Sequence, residues 1–470
     1  MKVLVMGLGL HGGGLESARF LLKRGAAVTA TDLRDEKTLQ PTIEQLDAAC
    51  RELGSQPVRY VLGKHEINDF KEADIVIKNP GVRPDSPFLK VSGRTETDLS
   101  LFLSESPARL FAVTGTKGKS GTASALHWIL KHDRKAGSAY LGGNITVSPL
   151  TFLEELREND DVVLELSSFQ LGDIKNHKTA EGRMLLKPAA AMLTAIMPDH
   201  LDRYASMEEY IDDKRNIYRG QDENDITIAG GDEWGKSFHG ESKARHLTWS
   251  DKQNPHIRTS GGWIGSCGRG FAQLFDWEGV SDEIAELVPA RLLTPGTHQK
   301  QNLLCAALAA YGFGVKAQTI NEALSAYKGI EHRLEFFYEA NGVRFYNDSA
   351  ATVPQAAAAC IEALPNLVLV TGGTDKNLDF SPLARASVNA KSVVLLAGTG
   401  SEKLARLLGE NNIPYSGPFD KLEDAVRCAA EKSRSGDNVA LSPGCASFGM
   451  FLNEFDRGRR WKEAVRKIGH

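Results

Sequence analysis

Cysteine is scarce in this chain of 470 residues. The six thiols, Cys50, Cys267, Cys305, Cys360, Cys428 and Cys445, are scattered and include no CxxC pair. That spacing argues against a disulfide framework and a zinc site, and predicts reduced thiols in a cytoplasmic protein. Charge of one sign is also lacking. The 56 basic and 60 acidic side chains leave a net charge of -4 with no basic run, which argues against a nucleic-acid partner or a polybasic membrane surface. Apolar stretches such as Ala189 to Met197 fall far short of the roughly 20 residues a membrane helix needs. The opening MKVLVMGLGL is too short and too glycine-broken to read as a secretory signal. Internal repeats and low-complexity segments are missing as well. With 41% apolar and 25% charged residues the balance is globular, and the length predicts roughly three domains of a soluble enzyme.

Glycine is plentiful, at 45 residues, and clusters where apolar runs stop. Lys2 to Met6 ends at Gly7, a helix is predicted over Leu15 to Arg24, and Ala27 to Thr31 forms a second strand ending at Asp32. The form repeats at Asp74 to Lys78, Leu110 to Thr114, Val162 to Leu166, Leu367 to Thr371, Ser392 to Ala397 and Val439 to Leu441. These runs are mostly continuous and β-branched, as strands buried on both faces should be. Helical stretches such as Ser120 to Lys131 and Val353 to Leu364 lie between them. The expectation is an α/β protein of three domains with parallel sheets, bounded at 1–107, 108–328 and 329–470. Gly231 to Val280 is polar, rich in Trp and Gly, and lacks a helical period, so it reads as a β-rich addition to the middle domain.

Two glycine loops carry phosphate chemistry. Gly7, Gly9 and Gly12 form GxGxxG between a strand and a helix, with Asp32 about 20 residues further on. Glycines admit a diphosphate and the helix N-terminus offers free N–H groups; a tight turn that binds nothing is the competing reading. The extra glycines Gly13 and Gly14 weaken the helix start. The second loop, Gly115-Thr116-Lys117-Gly118-Lys119-Ser120, is a shortened phosphate loop, with Val113 where the full pattern wants glycine. Backbone N–H groups there can curl around ATP or GTP phosphates, Lys119 can reach their outer oxygens, and the Ser120 hydroxyl can hold Mg²⁺. Two such loops are unusual for a dehydrogenase; they point to one for ATP and one for a substrate carrying its own diphosphate.

Glu165 closes the apolar strand that leads into ELSSFQL. A charge there is costly unless it is paired or binds a metal, and Mg²⁺ beside phosphates or a buried hydrogen bond would answer it. His200, in Pro198-Asp199-His200-Leu201-Asp202-Arg203, reads more readily as a hydrogen-bonded loop histidine than as a ligand. Lys214, after Asp212 and Asp213 in a predicted helix, reads as solvated.

Taken together, GTKGKS, ELSSFQL, PDHLDRYxSMEEYxxxK, HRLEF, YNDS and LSPGCASF occur in the order found in the Mur ligases, and the chain resembles that family over essentially its whole length. ELSSFQL with GGTDKNLDFSPL resembles the branch that adds glutamate to UDP-N-acetylmuramoyl-L-alanine. The resemblance implies a Rossmann-like N-terminal domain for the UDP sugar, a central ATPase and a mobile Rossmann-like C-terminal domain; a monomer is expected, though the sequence does not fix the oligomeric state. It implies ATP-dependent amide formation through an acyl phosphate, with ATP and Mg²⁺ as cofactors. By the same resemblance, Lys119 contacts the γ-phosphate, Ser120 and Glu165 hold one Mg²⁺, and His200 and a carbamylated Lys214 support a second. Asn302, His332, Arg333 and Asp348 match nucleotide positions. Leu10, His11, Asp32, Arg34, Gly81, Asn144, Ser167 and Gln170 match positions facing the UDP sugar, and Thr352, Lys376 and Ser447 those holding glutamate.

The chain also departs from the family. Gln299 replaces a usual asparagine, Ala350 a common lysine, Gly449 an aspartate, Leu452 a lysine and Glu454 an aromatic residue. The last three surround the glutamate positions, where a carboxylate at 454 would repel a dicarboxylate unless it points away or meets a cation. D-glutamate is favoured as the commoner chemistry of the family, with an L-glutamate enzyme as the alternative. A folylpolyglutamate synthase, a nicotinamide dehydrogenase and a nucleotide-binding regulator without turnover are the competing readings.

Overall fold

The protein is described by a computed structural model covering residues 1–9, 12–133, 137–145, 147–250, 260–278, 280 and 282–468, with the backbone alone at Thr297 and His298. Three sheets organise it. Strands β1 (Lys2–Met6), β2 (Ala27–Asp32), β3 (Arg59–Leu62), β4 (Ile75–Lys78) and β5 (Thr95–Glu96) pair in parallel in the order β3-β2-β1-β4-β5. The order reverses beside β1, so the crevice at the strand ends opens between the loops that follow β1 and β4.

The second sheet runs through β6 (Arg109–Thr114), β7 (Ala139–Gly143), β8 (Asp161–Glu165), β9 (Ala190–Leu193), β10 (Ile226–Gly230), β11 (Arg245–Ser250), β12 (Gly261–Ile264), β13 (Gly270–Gln273) and β14 (Ala285–Val288). Its order is β14-β13-β12-β11-β10-β9-β6-β8-β7, antiparallel only at β12–β13 and β13–β14. β6, β8 and β9 are buried along nearly their whole length, which is why they read as unbroken apolar runs. The third sheet comprises β15 (Glu335–Ala340), β16 (Val343–Asn347), β17 (Leu367–Thr371), β18 (Ser392–Leu396), β19 (Tyr415–Phe419) and β20 (Asn438–Leu441). Its order is β15-β16-β20-β17-β18-β19, antiparallel only between β15 and β16.

Two compact units result: Met1–Ala290 with Gln301–Ala323, holding the first two sheets, and Arg291–Lys300 with Leu324–His470, holding the third. All six cysteines are free. No helix among the described residues is long and apolar enough to cross a membrane.

Helix ends shift by a residue or two from the sequence expectation, as at Gly13–Lys23, Lys119–His132 and Pro354–Ala363. One expectation fails. Within the stretch read as lacking helix, Glu233–Glu241 is helical, capped by Asp232 Oδ1, which accepts the Gly235 N–H at 2.8 Å. Gly235 and Gly240 hide the period, and Gly235 is needed because a Cβ would overlap the Gly230 carbonyl. Gly14 is likewise no weakness: a Cβ there would run into the Gly7 and Leu8 carbonyls, so the glycine lets the helix approach the loop.

In the second unit Trp461 is wholly buried and donates its indole N–H to Tyr346 O at 3.0 Å. Trp461→Ala should cost about 3–5 kcal/mol, measured by urea unfolding of the intact chain; a loss below about 1 kcal/mol would contradict this packing.

Candidate active site

Neighbouring strands β8, β6 and β9 end at one level, since Val113 pairs with Glu165 and Thr114 with Leu193. The loop after β6 opens at Gly115, with φ 145, where a Cβ would overlap the Thr194 hydroxyl. Gly118, with φ 94, caps the Lys119–His132 helix, and a Cβ there would overlap the Asn302 amide. Both glycines are therefore required, and the second seats Asn302 against the loop; Thr122 Oγ1 donates to Asn302 O at 3.3 Å. The first-turn N–H groups of the helix face the loop, as a phosphate site needs. Thr116 is buried and shares a hydrogen bond with Tyr210 Oη at 3.0 Å, while Lys117 is exposed and Ser120 half-buried.

Two lysines meet on one oxygen. Lys119 Nζ donates to Gly115 O at 3.1 Å and Thr116 O at 3.0 Å, and Lys214 Nζ donates to Gly115 O at 2.9 Å. Lys214 also lies 4.4 Å from the Tyr210 ring centroid. The reading of Lys214 as solvated is wrong: it is 1% exposed, because the Met207–Arg215 helix turns Tyr210, Ile211 and Lys214 inward together. Burial and then the Lys119 charge push its ammonium down to about 7.

Glu165 is 2% exposed. Its Oε1 accepts from Asn144 Nδ2 at 3.3 Å, but its buried Oε2 has no hydrogen-bond partner. An orphaned carboxylate oxygen at the end of a strand beside a phosphate loop fits a hard divalent cation such as Mg²⁺. His200 stands in a loop at φ 53, with its side chain 47% exposed. Its ring lies 4.9 Å from Phe169 and 6.3 Å from Tyr210, so His200 and Lys214 flank the same tyrosine.

The first glycine loop lies in the same unit. Gly7, Gly9 and Gly12 all have positive φ. Asp32 is buried, and its two oxygens accept the Gly9 N–H at 3.1 Å and the Arg34 N–H at 3.0 Å, so the acid holds the loop's shape. Arg34 is exposed, and so is Gly81, whose N–H donates to Asn79 Oδ1 at 3.0 Å. Asn79, missed by sequence reasoning, packs under the loop, within 4 Å of Cβ positions built on Gly7, Gly9 and Gly13. Ser167 and Gln170 form a capping box at the start of the Ser168–Ile174 helix. Asn144 is exposed, and its N–H donates to Glu165 O at 2.8 Å. Leu10 and His11 lie outside the described residues.

In the second unit, β16, β20 and β17 also end side by side. Asp348 is buried; its oxygens accept from Leu334 N at 3.1 Å and Ser442 Oγ at 2.6 Å, and burial pushes it up to about 7. His332, at φ 64, bonds Asn347 Nδ2 through Nδ1 at 2.8 Å, and burial lowers its pKa; Arg333 is exposed. Gln299 has a buried Oε1 with no hydrogen-bond partner. Thr374 and Ala446 exchange backbone hydrogen bonds at 3.2 and 3.0 Å, and Thr374 Oγ1 donates to Phe448 O. That bridge brings Lys376 beside the Ser447 segment, with Nζ 5.8 Å from the Phe448 ring. Thr352 is half-buried and Ser447 buried.

Arg457 was missed, because nothing marks one arginine among the charges of the Glu454–Ile468 helix. It is fully buried and donates to Ser349 Oγ at 2.9 Å, Ser349 O at 2.8 Å and Cys445 O at 3.2 Å, bracing the two loops that carry Thr352 and Ser447. Glu454 opens the same helix, where a carboxylate suits the positive end of the dipole, and its charge raises the Arg457 pKa against the larger lowering by burial. Gly449 has φ 98, which an aspartate would find strained, and Leu452 is 79% exposed.

Comparison with known proteins gives the same pattern. Residues 1–98 match the Mur ligase MurD-like N-terminal domain, residues 113–310 the Mur ligase middle domain, and residues 332–445 the Mur ligase glutamate ligase domain. The chain belongs to the Mur ligase family. Similar relatives are the UDP-N-acetylmuramoylalanine–D-glutamate ligases of Treponema pallidum strain Nichols, 38% identical over 99% of this chain and 97% of that one, and of Roseiflexus sp. strain RS-1, 38% identical over 99% and 98%. Among solved structures, the Mur ligase MurC of Thermotoga maritima shares the fold, with a TM-score of 0.57, 21% identity and full coverage of both chains. The family assignment leaves the nicotinamide reading of the first loop without support.

The depressed Lys214 pKa has a sign that can be checked. The unfolded chain holds that proton up to about 10.4, whereas the folded protein releases it near 7. Stability contributed by this group is therefore lost as pH falls below the unfolded value and rises with pH between the two, at up to about 1.4 kcal/mol per pH unit. Urea unfolding at several pH values should show that slope in the parent protein, and Lys214→Met should flatten it; equal slopes would contradict the assignment.

Proposed function

We propose that this Mur ligase joins D-glutamate to the alanine carboxylate of UDP-N-acetylmuramoyl-L-alanine, with cleavage of ATP to ADP and phosphate, in peptidoglycan precursor synthesis. The observation that carries the reading is the grouping, at the ends of β6, β8 and β9, of a phosphate loop, a buried carboxylate with an orphaned oxygen and a buried lysine of depressed pKa. The relatives' names support the choice of acceptor and isomer. An oxygen of the alanine carboxylate attacks the γ-phosphorus and ADP departs. The glutamate amine then attacks the acyl carbon of the acyl phosphate, loses a proton and expels phosphate.

Gly115 to Ser120 cradle the phosphates, with Lys119 on the γ-phosphate, while Asn302, His332, Arg333 and Asp348 serve the nucleotide. Asp32, Arg34, Gly81, Asn144, Ser167 and Gln170 face the UDP sugar. Thr352, Lys376 and Ser447 hold glutamate, the ammonium of Lys376 pairing with a carboxylate. Ser120 with Glu165, and His200 with Lys214, would each hold a Mg²⁺, which supplies positive charge to crowded anions. Lys214 as a neutral amine adds CO₂ and releases a proton, becoming a carbamate able to ligate metal. The enzyme works as a cytoplasmic monomer.

Phosphate release with ATP, Mg²⁺ and the UDP-linked acceptor should require D-glutamate and fail with L-glutamate, and Lys119→Ala should slow it by at least about 10²-fold. Turnover with L-glutamate alone would overturn the isomer, and normal turnover by Lys119→Ala would overturn the ATP site. In ¹³C NMR with labelled bicarbonate, a carbamate signal should appear in the parent and vanish in Lys214→Met; identical spectra would sink the carbamate.

A further inference from the structure

The Asn79–Val82 turn, which presents Gly81, is built onto the first glycine loop. Asn79 N donates to Met6 O at 3.0 Å, Val82 N donates to Asn79 O at 2.9 Å, and a Cβ on Gly7 would come within 2.8 Å of Asn79 Cβ. Three successive carbonyls of this turn are held by one distant side chain. Arg203 Nη2 donates to Pro80 O and Val82 O at 3.3 Å each, and Nη1 reaches Gly81 O at 3.5 Å. The same guanidinium lies 3.7 Å from the Phe169 ring centroid, in the first turn of the Ser168–Ile174 helix.

The other side of that contact is the metal-side loop. Phe169 faces the His200 ring at 4.9 Å, and Arg203 N donates back to His200 O at 2.9 Å, closing a tight turn between the two residues. Beneath it, the strand leading into the Asn79 turn is tied to the same helix by Lys78 Nζ and Asp173 Oδ2 at 2.6 Å, with side chains 4% and 5% exposed. A surface arginine needs neither three carbonyl acceptors nor a ring beneath it. A planar fork that stacks and donates in several directions is what guanidinium provides and ammonium does not.

We infer that Arg203 is a positioning residue that couples the turn presenting Gly81 to the turn presenting His200, so that seating of the UDP-linked acceptor sets the geometry of the catalytic loop. This rests on the reading of Gly81 as facing the UDP sugar. The coupling acts through the backbone of both turns, so its loss should fall on the acceptor and spare ATP and glutamate.

Arg203→Ala and Arg203→Lys in the full chain test it, by initial rates with each substrate varied and by calorimetric titration of UDP-N-acetylmuramoyl-L-alanine into each protein. Arg203→Ala should raise the acceptor KM and calorimetric Kd about tenfold and lower kcat about tenfold, with the KM values for ATP and glutamate within about twofold of the parent. Its melting temperature should stay within about 2 °C of the parent, the scale of a sub-kcal surface change. Arg203→Lys should fall between parent and Ala. Parent-like acceptor KM and Kd in Arg203→Ala would overturn the inference. So would a rise in all three KM values with a lowered melting temperature, which marks a structural role alone. A parent protein that does not bind the acceptor would overturn the site reading together with the inference, an outcome distinct from the other two because it appears before any substitution.

Discussion

One carbonyl oxygen, that of Gly115, accepts hydrogen bonds from both Lys119 and Lys214. Two ammonium ions cannot share a buried acceptor at low cost, since each loses hydration and both repel. The protein resolves the conflict by depressing the more buried of the two, Lys214, toward neutrality. Three neighbouring features shape the same loop. Gly115 must be glycine for its carbonyl to sit there against Thr194, the Met207–Arg215 helix turns Lys214 inward, and Glu165 ends the adjacent strand with one buried oxygen unsatisfied. The arrangement is poised for anions and divalent cations to complete.

The second unit handles charge in the opposite way. Arg457 is buried as a cation, lowered to about 10 by burial but held by three oxygen acceptors and by the charges of Glu454 and Asp348. Asp348, also buried, is pushed up to about 7 because burial outweighs the Ser442 and Leu334 hydrogen bonds and the nearby arginine charges. A buried guanidinium braces the loops that carry Thr352 and Ser447. Glu454 stands in the first turn of the same helix as Arg457, and its charge raises the Arg457 pKa against the larger lowering by burial.

What was legible in the sequence was local. Unbroken β-branched runs such as Leu367 to Thr371 could only be strands buried on both faces, and loops such as Gly115 to Ser120 announce themselves by glycines that a strand-to-helix turn demands. The fold class followed from their alternation. The burial of Lys214 was not legible: the spacing of Tyr210, Ile211 and Lys214 marks one helical face, but nothing local says that a lysine on that face goes inward. Arg203, Asn79 and Arg457 act across the chain, through partners such as Phe169, Gly7 and Ser349, and no local pattern links them. The Glu233–Glu241 helix was hidden because its two glycines blur the helical period, and one of them, Gly235, serves close packing against Gly230 rather than propensity.

His200, His332 and Leu334 hold backbone in the left-handed region, with φ of 53, 64 and 44. A side chain there costs about 1 kcal/mol or more relative to glycine. The fold thus carries a small standing debt at these three positions. Glycine at any of the three would relieve that backbone strain at the cost of losing the side chain.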